Sequence, residues 1–297
     1  MRFAAIDIGS NAIRLLVVDY ISKEGNGKPI FKKLKLFRIP VRLGVEVFAN
    51  GKISKNLGQQ LIKTLQAFQL LMEIFEVQHF KAYATSALRE ATNKKGILEK
   101  VAAKTGIRIE VITGKKEAQV ILNSNIEPFV DARFNYLYVD VGGGSTEISL
   151  YSTSKIPIST SFKIGTVRMM KKKAEQKEWD RLQQWLIKII NPKKPLAILG
   201  SGGNINRVYK RSGKKGNDPL LYTHIKAERE YLNGLTIDER IEKEDLTKDR
   251  AEVIVPALDI FLFVMEQTGI TQIIVPKIGL SDGIIREIYQ EQLVISN

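Results

Sequence analysis

Ala4 to Val17 reads AAIDIGSNAIRLLV, and Leu137 to Leu150 reads LYVDVGGGSTEISL. In both, an apolar run ends in Asp, a glycine follows two residues later, and a second apolar run leaves the turn. Asp7 aligns with Asp140 and Gly9 with Gly142. Each stretch reads as strand, glycine turn, strand. One Asp–Gly turn would signal only a hairpin. Two in register signal a duplicated unit.

Working outward, the polar stretch Ser22 to Pro29 reads as a turn and Ile30 to Ile39 as a strand. Ser54 reads as the N-cap of a helix with Leu57, Leu61, Leu65, Phe68, Met72 and Phe75 on one face. Phe80 to Ala84 and Arg108 to Ile112 read as strands. Helices are expected over Ser86–Ala91, Lys94–Lys104 and Lys115–Asn123. In the second half, Tyr136–Val141, Thr146–Tyr151, Leu196–Leu199 and Gln272–Val275 read as strands. Trp179, Leu182, Trp185, Leu186 and Ile189 fall at core spacing on a helix over Glu178–Ile190, which gives the tryptophans a packing role. Lys210–Asp218 reads as a basic, Gly-rich loop. A long apolar helix runs to Gln267, and Ser281 is expected to cap a last helix from Asp282. Strands alternating with helices indicate an α/β architecture.

A chain of 297 residues is comfortable for two domains. Cysteine is absent, which removes disulfide scaffolds, thiol nucleophiles and thiolate metal sites and fits a reducing compartment. His79 and His224 are far apart in sequence and lack motif context, so a histidine metal site or triad is poorly supplied. Lys and Arg number 46 against 32 Asp and Glu, a net charge of +14 that suits a polyanionic partner. Val253 to Met265 is interrupted by Pro256 and Asp259 and is too short to span a bilayer. The N-terminus carries no signal-peptide pattern. The expectation is a soluble, cytoplasmic protein without a membrane partner.

Glycine at a strand corner lets backbone N–H groups approach a ligand, and successive N–H groups form an anion nest. Two such nests, with a third glycine cluster at Gly200 to Gly203, suit a phosphate chain. Aspartates repel phosphate and need an intervening cation, and Mg²⁺ takes a few carboxylates plus waters and phosphate oxygens. Ala84 to Asn93 follows a strand and opens a helix. Thr85 or Ser86 would cap it, and Arg89 lies one turn in, where it could reach a phosphate or merely pair with Glu90. Glu117, in the first turn of the next helix, could simply favour the helix dipole.

The segments IDIGSN (6–11), YATSALREATN (83–93), ITGKKEA (112–118), YVDVGGGSTE (138–147), IGTVRMM (164–170), ILGSGGN (198–204) and LSDGIIREI (280–288) occur in this order. Together they resemble the exopolyphosphatase and guanosine pentaphosphate phosphatase family. The resemblance implies duplicated ribonuclease-H-like domains of the actin-like ATPase superfold, residues 1–122 with 282–297 and residues 123–281, with an active-site cleft between them. It implies release of terminal orthophosphate from inorganic polyphosphate, or from guanosine polyphosphates such as pppGpp, with Mg²⁺ or Mn²⁺. Glu117 matches the family's catalytic glutamate. Asp140 and Glu147 match positions associated with the cation, and Glu147 also with water orientation. Gly9, Ser10, Asn11, Arg89, Gly142, Gly143, Gly144, Ser145, Ser201, Gly202 and Gly203 match phosphate-binding positions. Two residues depart from the family pattern. Lys116 stands where a first glutamate is common, and Asn204 stands where Thr is common.

Other readings stay open: an ATP-dependent kinase of the same superfold, or a non-catalytic polyphosphate or alarmone sensor, which Lys116 favours. Lysines 171–173, 193–194 and 214–215 could serve nucleic acid, but no aromatic-interleaved basic module accompanies them. Substrate preference and oligomeric state, a homodimer included, are open. Longer relatives carry further helical domains. For a chain ending at Asn297 the resemblance implies end-on grip, modest processivity and a KM that rises with salt.

Overall fold

The computed structural model describes residues 1–21, 29–124, 126–152, 155–190 and 195–296. The turn expected after Ile21, apart from Pro29, and the pair Lys193-Lys194 lie outside the described residues. By its internal contacts the chain divides into two units, Met1–Asn125 with Leu280–Asn297, and Ile126–Gly279.

In the first unit β1 (Arg2–Ile8), β2 (Ile13–Ile21) and β3 (Ile30–Ile39) form an antiparallel meander. β4 (His79–Ala84) runs parallel to β1 on its other side, and β5 (Ile109–Val111) runs parallel to β4. The order β3-β2-β1-β4-β5 makes β1 central. That position explains its apolar run from Phe3 to Ile6, since a strand covered on both faces has no polar side. Phe3, Ile6 and Ile8 are fully buried.

The helices that follow in this part of the chain are α1 (Leu43–Asn50), α2 (Lys55–Ile74), α3 (Ser86–Glu90), α4 (Lys94–Thr105) and α5 (Gly114–Leu122). α2 begins as the sequence indicates. Ser54 Oγ accepts from the Leu57 amide, and Leu57, Leu61, Leu65, Phe68 and Met72 are buried. Thr113 does the same for α5, accepting from the Lys116 amide at 3.2 Å. α1 escapes a sequence reading. It is eight residues long, and the residue before it, Arg42, has φ 58° and makes no side-chain cap.

The second unit repeats the plan. β6 (Asn135–Val141), β7 (Thr146–Ser152) and β8 (Lys155–Phe162) are the antiparallel meander. After α6 (Thr166–Met170) and α7 (Gln176–Ile189), β9 (Leu196–Ser201) returns parallel to β6. α8 (Gly203–Arg211), the two-residue β10 (Leu220–Leu221), α9 (Tyr222–Gly234), α10 (Ile237–Glu244), α11 (Lys248–Ala251) and α12 (Ile254–Thr268) follow, and β11 (Gln272–Ile274) runs parallel to β9. The order is β8-β7-β6-β9-β11-β10. Both sheets are a three-strand meander with two parallel strands added beside its first strand, and the second carries the short antiparallel β10 at that edge. This is the ribonuclease-H-like fold, present twice.

Buried Leu258, Phe261 and Met265 of α12 join Leu182 and Leu186 of α7 in the second unit's core, with Trp179 and Trp185 half-buried against it. The basic stretch read as a loop from Lys210 is partly helical. Lys210 and Arg211 form the last turn of α8, where positive side chains face the negative end of the helix dipole.

The last helix, α13 (Leu280–Ser296), belongs to the first unit and packs on β1, β2, β4 and α5. Ile284, Ile285 and Ile288 are buried, and Tyr289 lies against Tyr20 and Phe31. α13 starts at Leu280, so Ser281 lies inside its first turn and does not cap it. At Gly283 the helix meets α5 backbone to backbone. A Cβ there would lie 1.9 Å from the Val120 carbonyl oxygen, well inside contact distance.

Candidate active site

The two glycine turns are closed by the same bond. The Gly9 amide donates to the Ala12 carbonyl at 3.1 Å, and the Gly142 amide to the Ser145 carbonyl at 3.0 Å. The amides of the next two residues, Ser10 and Asn11 or Gly143 and Gly144, are each turn's candidate anion donors.

Each turn is also covered by a glycine at a helix start, a feature the sequence reading missed. In the first unit the Gly44 amide donates to the Ser10 carbonyl at 2.8 Å. In the second, Thr166 and Val167 donate to the Gly142 and Gly143 carbonyls, and Arg168, buried, donates from Nε to the Gly144 carbonyl. A Cβ on Gly165 would lie 2.4 Å from the Gly144 backbone. The signal was a second duplication, Leu43-Gly44 and Ile164-Gly165, too short to stand out in sequence.

The first unit brings together Ser10, Arg89 and Glu117 with neighbours the sequence did not pair with them. Ser10 Oγ and Ser86 Oγ share a buried hydrogen bond of 2.8 Å. Thr85, the N-cap of α3, makes no side-chain cap, so neither hydroxyl plays the capping role expected of it. Arg89 Nη1 donates to the Ile112 carbonyl at 2.8 Å and to Glu117 Oε2 at 3.3 Å. The Arg89 guanidinium thus pairs with Glu117 of the next helix. Glu117 is 6% exposed, on the first turn of α5, with its amide bonded to the Thr113 carbonyl. The adjacent Lys116 reaches the other way and ion-pairs with Glu287 of α13. Tyr83 donates to the second oxygen of Glu287 at 2.6 Å. Burial first, and then Glu287, push the Tyr83 phenol far above its ordinary range, so it stays a donor.

In the second unit Asp140 and Glu147 are direct partners on the β6–β7 ladder, so both carboxylates emerge on one face with Cβ atoms about 5 Å apart. Glu147 is buried and accepts from Ser161 Oγ at 2.7 Å. The matching ladder position of the first unit holds Asp7 and Arg14, an ion pair at 2.7 Å. The first unit therefore supplies its own cation where the second presents two anions. A divalent ion fits that pair. Among the described residues no group of three or more His, Asp or Glu could hold a metal, so the rest of its shell would be waters and phosphate oxygens.

Ser201, at the end of β9, is buried and donates its hydroxyl to the Ile278 carbonyl at 2.8 Å, as Tyr138 does at 3.2 Å. Its side chain holds the segment before α13. Gly202 follows with φ 118°, where a Cβ would meet the Val141 carbonyl at 2.7 Å. Gly203 accepts from Arg250 Nη1 at 3.1 Å. The cluster abuts the end of β6, directly beside Asp140, which pairs with Ser201 in the ladder.

Residues 20–292 match the model of the Ppx/GppA phosphatase family. The chain belongs to that family. Among solved structures it is similar to the Aquifex aeolicus Ppx/GppA family member, 26% identical, covering 98% of each chain, with a TM-score of 0.76. It is 27% identical over 303 residues to the guanosine-5'-triphosphate,3'-diphosphate pyrophosphatase of Vibrio vulnificus. That match takes in 97% of this chain and spans only 59% of the length of the relative. Exopolyphosphatase 1 of Mycobacterium leprae is 23% identical, over 96% of this chain and 88% of that protein.

Proposed function

We propose that this Ppx/GppA family member is a phosphoric anhydride hydrolase. It releases terminal orthophosphate from inorganic polyphosphate and takes guanosine polyphosphates such as pppGpp as further substrates. The observation that carries the reading is the buried Glu117 carboxylate, held by Arg89 at the start of α5. Phosphoryl transfer asks for charge neutralisation and in-line placement more than for covalent chemistry. Glu117 orients a water and takes its proton. Arg89 steadies that carboxylate and offers its remaining N–H groups to phosphate oxygens. The turn amides at Ser10, Asn11, Gly143 and Gly144 bind further oxygens, with Ser145, Gly202 and Gly203 beside them.

Asp140 and Glu147 would hold Mg²⁺ or Mn²⁺, which supplies charge neutralisation on the phosphate chain when bound. With a cysteine-free chain and only two histidines, far apart in sequence, direct attack by water is the simplest route. The net charge of +14 favours a polyanionic substrate, and the names of the Vibrio and Mycobacterium relatives match the two substrate classes. No helix among the described residues is long and apolar enough to cross a membrane. The cysteine-free composition fits a cytoplasmic location.

The test is phosphate release from polyphosphate, pppGpp and ATP at equal phosphate concentration, with and without Mg²⁺. Release from polyphosphate or pppGpp well above that from ATP is expected. Transfer to an acceptor with ADP formation would move the assignment to a kinase, and tight binding without release to a sensor.

A further inference from the structure

We propose that Glu287 of α13 is a positioning residue for Glu117, acting through Lys116. This rests on the reading of Glu117 as the water-activating base. The two glutamates lie 170 positions apart in the chain, yet the contacts joining them are short. Glu287 is 9% exposed and both its carboxylate oxygens are engaged, one by the Lys116 ammonium and the other by Tyr83 Oη. Lys116 is held at both ends, its amide by Thr113 Oγ1 and its ammonium by Glu287. Glu117 is the next residue, and its carboxylate accepts from Arg89 Nη1 at 3.3 Å. The rotation of the first turn of α5 about its own axis decides where that carboxylate points.

Three contacts fix this rotation. Thr113 caps the helix, Gly283 brings α13 onto the Val120 carbonyl, and one turn further along α13 Glu287 takes Lys116. The first two set depth and start, and both would tolerate a small roll of α5. The ion pair is a lateral tie from α13 to the turn that carries Glu117, beside the bond from Arg89 to Glu117 itself. It is also well placed to hold, because Glu287 is buried and cannot exchange Lys116 for water without loss. Tyr83, its phenol kept protonated, keeps Glu287 from following Lys116 outward. The charge of Lys116, at first sight out of place beside the base, is spent on this tie.

The experiment compares wild type with Glu287→Gln, Lys116→Met, the double variant and Lys116→Arg. It reads steady-state kinetics on a short polyphosphate and on pppGpp, and amide hydrogen exchange in α5. Gln at 287 still accepts from Tyr83, and Lys116 is part-exposed, so both variants should fold. For Glu287→Gln and for Lys116→Met we expect kcat to fall about tenfold with KM within about twofold, the pattern of a misplaced catalytic group. The double variant should lose no more than either single one. Lys116→Arg should return to within about twofold of wild type. Exchange of the amides at 116–119 should rise about tenfold in both single variants. Unchanged kcat and unchanged exchange would overturn the proposal, as would losses that multiply in the double variant or appear in KM alone. A wild-type chain inactive on both substrates would overturn the hydrolase reading instead, and the exchange data would then judge the tie by themselves.

Discussion

Asp140 stands directly opposite Glu147 on the β6–β7 ladder, at the position where the first unit pairs Asp7 with Arg14. One duplicated frame has been given two electrostatic solutions. In the first unit the aspartate is neutralised by a side chain 2.7 Å away. In the second, a like-charged pair sits beside the glycine turn. Like charges directly opposite on a ladder repel, which is the reason this pair is proposed to hold a divalent cation.

The first prediction concerns that ion. We expect chelation to abolish phosphate release and Mg²⁺ to restore it. Asp140→Asn should raise the half-saturating Mg²⁺ concentration at least tenfold. It should also remove the rise in melting temperature that Mg²⁺ gives the wild type, since only a bound ion shifts stability by mass action. Differential scanning fluorimetry with and without Mg²⁺ checks this independently of turnover. An equal Mg²⁺ shift in wild type and Asp140→Asn would move the ion elsewhere.

The second concerns the base and its partner. Glu117→Gln keeps an acceptor for Arg89 but cannot take a proton. Turnover should fall by about 10²–10⁴-fold with KM little changed. Arg89→Ala removes both the bond to Glu117 and a phosphate donor, so kcat should fall and KM should rise together. Initial rates across a substrate series separate the two patterns. A rate unchanged in Glu117→Gln would hand the role to Glu147.

Much of this layout was legible from residues 4–17 and 137–150, because a duplicated strand–turn–strand carries its own register. The Ser54 cap and the Leu57–Met72 face were legible because helix periodicity is local. What stayed hidden depends on distant residues. Ser86 looked like a cap and instead meets Ser10, 76 positions away. Ser201 matched a phosphate-binding position, and the partner of its hydroxyl, Ile278, lies 77 positions away. Lys116 looked like a weakened catalytic element, and its partner lies 171 positions downstream. α1 was invisible because it is short and starts from a left-handed arginine instead of a capping side chain. No pattern within a window of ten residues contains these facts.

The third prediction uses Gly165 and Gly283, two glycines inside the segments 164–170 and 280–288 whose packing role only the fold reveals. Gly165→Ala would place a methyl 2.4 Å from the Gly144 backbone, so α6 or the turn must shift. We expect several-fold or greater loss of substrate affinity, with a stability loss of roughly 1–3 kcal/mol as for an overpacked site. Gly283→Ala would force α13 off the Val120 carbonyl and should lower kcat along with the melting temperature. Gly96→Ala, in open space on α4, is the control and should be neutral or slightly stabilising. Urea titrations of the three variants, read beside their kinetics, decide the matter.

The last prediction follows from Tyr83. Burial and the neighbouring Glu287 raise its phenol well above the ordinary 10.0, so the folded state holds this proton more tightly than the unfolded chain does. A group with a raised folded pKa gives stability that is complete below the unfolded value and is lost as the pH climbs toward the folded one. The contribution of Tyr83 should therefore be constant from neutral pH to about pH 10 and shrink above it. Tyr83→Phe removes the proton and the bond to Glu287 together. At neutral pH the variant should be less stable than wild type by about 1.5–3 kcal/mol, the usual worth of a hydrogen bond to a charged group. Between pH 10 and pH 11.5 the gap should narrow, because only the wild type pays for ionising a buried phenol. Denaturant midpoints of both proteins across that range test the sign. A gap that widens with pH would mean that Tyr83 ionises freely and does not hold Glu287 in place.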